Sequence, residues 1–172
     1  MDQTGRSLTV KKPRKAAVKL PSDQFAMIPR DLLDSPAWRV LSAPGMRVLF
    51  RIVSELLAHG GNDNGKLVVT YSQFVEAGIG RNSIRPAIVE LEALGLIELM
   101  RKGGRSYGDT RLSNLYRLTF LQSSNHDLTH EWFFIQTIDD AKRRVREAMR
   151  EHASMTDQAT VLDSDLNARR SG

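Results

Sequence analysis

Residues 70–104 read TYSQFVEAGIGRNSIRPAIVELEALGLIELMRKGG, and the spacing within this stretch decides the fold. Thr70 stands where a hydroxyl caps a short helix running through Phe74 and Val75 to Ala77, and Gly78-Ile79-Gly80 breaks that helix sharply. A second helix, residues 83–94, begins at Ser83. Ile84, Ala87, Ile88, Leu91 and Leu94 recur along it at three- and four-residue steps, and Gly95 stops it. With Ser83 as the cap, Pro86 falls at the third helical position, where its missing N–H breaks no helical bond. Leu96 to Met100 then reads as a strand.

Working outward, two helices joined by a glycine-bearing turn of three to four residues match the helix-turn-helix plan. Upstream, Leu32, Leu33, Trp38, Val40 and Leu41 form two short turns broken by Pro36. Ser42 caps the next helix with Pro44 in its first turn, and Met46, Leu49, Phe50, Val53, Leu56 and Leu57 make its apolar stripe as far as His59. A polar turn from Gly60 to Gly65 leads into a short strand at Lys66 to Val69. Its Asn62-Asp63-Asn64-Gly65 run has the look of a calcium loop but lacks the closing Glu, so it reads as a turn. Downstream, a basic loop over residues 101–113 holds Gly103, Gly104 and Gly108, and residues 114–120 return with the period-two alternation of a strand. The order is helix, strand, helix, turn, helix, strand, basic loop, strand. The class is α+β, mainly α with a small β-hairpin.

The opening stretch, continued by NLYRLTF at residues 114–120, resembles the winged helix-turn-helix domain of bacterial DNA-binding proteins. ELEALGLI at residues 90–97 is its most recognisable piece, and the resemblance spans residues 25–121. MIPRDLLDSPAWRVLS at residues 27–42 resembles the start of winged-helix proteins carried by plasmids, phages and integrative elements. The resemblance implies a winged helix with an appended C-terminal helix, double-stranded DNA as the ligand and a transcriptional regulator, a repressor, as the function. It leaves two alternatives open. One is a replication or transfer factor of a mobile element; the other is a winged helix that binds protein rather than DNA.

On a helical wheel, Asn82, Arg85, Pro86 and Val89 point away from the apolar face, with Arg81 and Ser83 at the start of the helix. Arginine pairs bidentately with guanine, asparagine with adenine, and an exposed valine meets a thymine methyl. Arg81, Asn82, Ser83, Arg85 and Val89 are therefore the candidate base readers. Glu90 and Glu92 flank that face, and carboxylates repel phosphate, so the first two turns are the ones expected in the groove. Arg101, Lys102, Arg105, Arg111 and Arg117 against Asp109 make the wing basic, fit to hold the backbone or the minor groove. The resemblance adds Thr70, Tyr71, Ser72 and Gln73 as backbone contacts.

The net charge of +5 over 172 residues is uneven. Residues 1–20 hold six basic side chains, among them Lys11, Lys12, Arg14 and Lys15, against Asp2 alone. Residues 1–22 read as a disordered basic arm suited to a polyanion, followed by the DNA-binding domain at 23–121. Residues 122–153 form a further helical element: Thr137 caps a helix to about His152 whose stripe is Ile138, Ala141, Val145, Ala148 and Met149. Asp139–Arg143 and Asp140–Arg144 are spaced to pair along it. An apolar stripe after the wing is expected to bury itself on a second copy, giving a two-fold dimer that reads a palindrome. Residues 154–172 read as a disordered tail. With no cysteine, disulfides, thiolate zinc sites and cysteine nucleophiles are excluded. No paired carboxylates, phosphate loop or nucleophile motif marks an enzyme. The run HDLTHE, with His126, His130 and Glu131, would place two imidazoles one helical turn apart, but it is not H-E-x-x-H and its third ligand is unclear, so no metal, cofactor or small-molecule ligand is expected. Absence of a long apolar run or signal sequence points to a cytoplasmic, nucleoid-associated protein with no membrane partner.

Overall fold

Serine hydroxyls start the second and third helices. In the computed structural model, which describes residues 24–105, 111–122 and 128–170, α1 (Arg30–Leu33) is followed by α2 (Pro36–Arg39), where Ser35 Oγ accepts from the Trp38 N–H. Ser42 caps α3 (Ala43–Ala58) through the Gly45 N–H, and Pro44 occupies a first-turn position that needs no donor. Val48, Leu49, Ile52, Val53 and Leu56 are its buried stripe.

The chain continues through β1 (Leu67–Val68), α4 (Tyr71–Glu76), α5 (Arg81–Ala93), β2 (Ile97–Arg101), β3 (Gly104–Arg105), β4 (Arg111–Leu112) and β5 (Leu115–Leu118). A 3₁₀ turn (Glu131–Phe134) and a long α6 (Ile138–Arg170) complete it. The strands β1, β5 and β2 form an antiparallel sheet in that order, with Leu67 opposite Tyr116 and Ile97 opposite Leu118. A register shift between Leu99 and Arg101 bends the end of β2, and β3 and β4 pair beyond it as a separate two-stranded stem. The described residues thus make an α+β fold of six α-helices and a small antiparallel sheet, and none of these helices is long and apolar enough to cross a membrane.

Phe74, Ile84, Leu91, Leu94, Leu96, Tyr116 and Leu118 are fully buried in one core, with the Tyr116 and Phe74 rings edge to face at 6.2 Å. Asn64, read as a turn residue, is buried. Its amide donates to the Leu118 and Leu121 carbonyls at 2.9 and 2.7 Å and accepts from the Leu118 N–H at 2.8 Å, so it ties the turn before β1 to the end of β5. Gly95 turns the chain from α5 into β2 at φ +64°, and a Cβ there would lie 2.8 Å from the Trp132 nitrogen.

Three boundaries differ from expectation. Helix α5 begins at Arg81 with Gly80 as its cap, not at Ser83, because the turn around Gly80 allows the Ser83 N–H to close on the Gly80 carbonyl at 2.8 Å. Pro86 therefore sits inside the helix, where it forfeits a bond to the Asn82 carbonyl. The C-terminal element is not a separate unit: Trp132, Ile135 and Ala141 are buried in the core of the 23–121 domain, and α6 packs on α5 and α2 of its own chain. Lastly, α6 runs on to Arg170 through residues expected to be a disordered tail. Residues 153–170 contain neither Gly nor Pro, so nothing in them stops an established helix. The arm at residues 1–22 lies outside the described residues.

Candidate nucleic-acid interface

Local hydrogen bonding fixes each wall of the site. At the start of α4, the Thr70 hydroxyl accepts from the Gln73 N–H at 3.3 Å, and the Gln73 side chain accepts from the Thr70 N–H at 2.8 Å. This reciprocal capping box orients Tyr71 and Ser72. Helix α5 buries Ile84, Ala87, Ile88 and Leu91, and it also buries Glu90. The Glu90 carboxylate accepts from the Ser42 N–H at 2.9 Å and the Ser42 hydroxyl at 2.5 Å, which locks α5 to the first turn of α3. Opposite that anchor, Arg81, Asn82, Arg85 and Pro86 are exposed, while Ser83 and Val89 are half-buried.

The hairpin is held by Asn114. Its side-chain carbonyl accepts from the Gly103 N–H at 2.6 Å and its amide donates to the Tyr116 hydroxyl at 2.8 Å. A Cβ at Gly103 would lie 2.5 Å from the Leu112 carbonyl, so only glycine lets the strands approach this closely. Burial pushes the Tyr116 hydroxyl up to about 12, which keeps it available to Asn114 as a neutral group.

Between these walls runs an open groove of about 820 Å³. Thr70, Tyr71 and Ser72 line it from α4; Arg81, Arg85 and Val89 from α5; Lys102 from the hairpin. Its remaining wall is α6, through Ala148, Glu151, His152 and Met155. The Arg85 Nε–H donates to His152 Nε2. Desolvation, and then the positive charges of Arg85 and Lys102, hold the His152 imidazole below its usual value, which favours the neutral ring able to accept that bond. Glu92 on the same wall is pushed up by desolvation, an effect opposed by the Leu99 backbone and by Lys102 and Arg85.

Seven of the residues expected from sequence to contact DNA therefore meet in one groove. Others do not join them. Gln73 is engaged in its cap, Ser83 lines a small cleft near Arg47 and Gly78, and Asn82 and Arg101 are exposed beside the groove rather than on its wall. Arg105 and Arg111 pair backbone to backbone in the stem, while their side chains, the hairpin tip at 106–110 and arm residues Lys11, Lys12, Arg14 and Lys15 lie outside the described residues. Arg117 is no wing charge: it is buried, with its guanidinium 2.7 Å from Glu98 and 3.0 Å from the Thr129 hydroxyl. Glu90 does not flank the outer face, as the Ser42 bonds show. The Thr137 cap forms, accepting from the Asp140 N–H at 3.1 Å, and so does Asp140–Arg144 at 3.1 Å. Arg143, however, pairs with Asp140 and Glu147 rather than with Asp139.

His126 is outside the described residues, and His130 takes a left-handed backbone with its ring edge-on to Trp132. Among the described residues no cluster of three His, Asp or Glu side chains is placed to hold a metal. Sequence reasoning missed Glu151 and His152 at the groove, because they fall at the end of a helix assigned to another purpose. It also missed the role of Glu90, although a carboxylate three residues after Ala87 and four before Leu94, in phase with the apolar stripe, was a signal of a buried partner. No family model, curated protein or solved structure matches this chain.

Proposed function

We propose that this chain binds double-stranded DNA sequence-specifically, as a winged helix-turn-helix protein whose α5 reads the major groove and whose β3–β4 hairpin acts as the wing. The observation that carries the reading is the convergence of Ser72, Arg81, Arg85 and Lys102 on one groove beside the exposed amide of Asn82. Hydroxyl and cationic donors around an exposed helix start are the equipment of phosphate positioning and base-edge reading. In this reading Arg85 and Asn82 meet bases and Val89 meets a thymine methyl. Arg101 and Lys102 hold phosphates, joined by Arg105, Arg111 and the basic arm. Glu92 keeps the C-terminal half of α5 out of the groove by repelling phosphate.

The role that fits is a transcriptional regulator acting as a repressor by occupying its site; a replication or transfer factor would use the same surface. The packing of α6 along α5 favours a second reading, in which this face takes helices and the partner is a protein. The homodimer expected from sequence would have to use the outer side of α6, since Ala141 and Val145 of the stripe pack against the core of their own chain.

The test is selection of duplexes from a random-sequence pool with the full chain, followed by fluorescence anisotropy at several salt concentrations. An enriched motif bound with a steep salt dependence is the expected result. No enrichment, together with no binding at low salt, overturns the DNA reading.

A further inference from the structure

Helix α6 lies where the duplex would have to go. The 3₁₀ turn before it packs under Gly95 at the C-terminal end of α5, and His152 meets Arg85 in the second turn, so α6 runs back along α5 toward its start. The major groove is about 12 Å wide and one helix with its side chains is about 10–12 Å across, so it admits one helix and not two side by side. With α6 in place, Arg85 and Val89 cannot reach base edges.

The chemistry of the contact points the same way. Arg85, the leading candidate for guanine, already has an acceptor in His152 Nε2, and Glu151 brings a carboxylate to the groove that Arg81 and Lys102 also line. An acceptor nitrogen and an anion in that position stand in for a base edge and a phosphate. The attachment is also light toward the far end: among the described side chains of α6 only Ala141 is fully buried, Ala148, Met149 and His152 are half-buried, and residues from Ala153 to Gln158 are exposed.

We propose that the part of α6 from Ala148 onward is an internal cover over the DNA-reading face, an intramolecular competitor that duplex DNA must displace. This rests on the DNA reading above. Apparent affinity then equals the intrinsic affinity reduced by the fraction of molecules with the cover lifted. Holding the cover down weakens binding, and releasing it restores binding, with no change in any residue that touches DNA.

The absence of cysteine makes the test direct. Ala93→Cys on α5 and Ala148→Cys on α6 both line the groove and neither belongs to the binding set. The full-length double variant is bridged with a reducible bis-maleimide and titrated against a duplex recovered by selection, before and after reduction. Single variants carrying the same reagent control for its bulk. Should this pair fail to fold, Ser113→Cys with Met155→Cys bridges hairpin and cover instead. The bridge is expected to lower affinity at least about tenfold, with full recovery on reduction. Equal affinity in both states, or failure of either folded pair to cross-link, overturns the cover and leaves DNA binding standing. Absence of binding in both states overturns the DNA reading, and the cover with it.

Discussion

Gly45 and Glu90 form the sharpest stability test in the molecule, because one substitution there should change sign with its background. Glu90 is 5% exposed, and its carboxylate holds both the N–H and the hydroxyl of Ser42. Bonds to a charged acceptor are worth about 1.5–3 kcal/mol each, but Ser42 is itself exposed and regains water when its partner goes. Glu90→Ala should therefore cost about 2–3 kcal/mol. At Gly45 a Cβ would lie 2.3 Å from Glu90 Oε2 and 3.2 Å from Leu41 Cδ2. The carboxylate cannot retreat without releasing Ser42, so Gly45→Ala should cost about 1–3 kcal/mol as overpacking.

In the Glu90→Ala background the obstructing oxygen is gone. Alanine is then the better helix residue, by up to about 1 kcal/mol. The same substitution should turn from destabilising to neutral or stabilising, a coupling of about 2 kcal/mol. The four proteins of the cycle are compared by urea unfolding, with the slope checked for constancy so that the midpoint reports stability. A Gly45→Ala effect of equal size and sign in both backgrounds would refute the geometry and, with it, the anchoring of α5 to α3.

Arg85→Ala should narrow the preference for selected over random duplex by about 1–3 kcal/mol, on top of any common change from unfastening His152; an unchanged preference would take Arg85 off the base edges. Lys102→Ala should weaken binding on every sequence and flatten the log-affinity versus log-salt slope by about 0.9, whereas an unchanged slope removes the hairpin from the backbone. His152, held below its usual 6.5 chiefly by desolvation and then by Arg85 and Lys102, faces Arg81, Arg85 and Glu92 of α5, Lys102 of the hairpin, Tyr71 of α4 and its own neighbour Glu151. A depressed histidine stabilises the fold above 6.5, and that contribution is lost as pH falls through the lowered value. The native chain should lose more stability than His152→Gln over that interval in urea titrations, and parallel pH profiles would show that the ring does not titrate against Arg85.

The order of elements was legible because the signals were local. Apolar periodicity drew α3 and α5, glycines marked the turns, and the hydroxyls of Ser42, Thr70 and Thr137 fell on real caps. What stayed hidden depends on contacts between distant segments. Nothing in the neighbourhood of Asn64 announces that it bonds β5, and Arg117 counts as a wing charge until Glu98 is seen beside it. The misplaced start of α5 has a different cause. Ser83 is the better capping residue on propensity, but the tertiary position of the turn makes Gly80 the cap and accepts Pro86 inside the helix. The site was half legible for the same reason: side chains on one helix face can be read off a wheel, whereas the wall facing them comes from α6, more than fifty residues away.

The distribution of anchorage decides which of the two helices can move. Helix α5 is held on two sides, by Ile84, Ala87, Ile88 and Leu91 in the core and by Glu90 on Ser42, so lifting it would expose apolar surface and strand a buried carboxylate. Helix α6 is held near its start by Ala141 and Val145, and over Arg85 by the half-buried Ala148, Met149 and His152 and the Arg85–His152 hydrogen bond. Local opening follows the weakest packing, so the distal part of α6 separates at far lower cost than α5 does. A rigid reader under a lightly held cover keeps the donor geometry of Arg81, Asn82 and Arg85 unchanged while access to it varies. For that reason bridging α6 to α5 is expected to suppress binding to the selected motif and reduction to restore both the affinity and the preferred sequence, whereas Arg85→Ala alters the preference itself. If the bridged protein still selected the same motif through Arg85, α6 would not obstruct the reading face, and the division of labour between the two helices would fail.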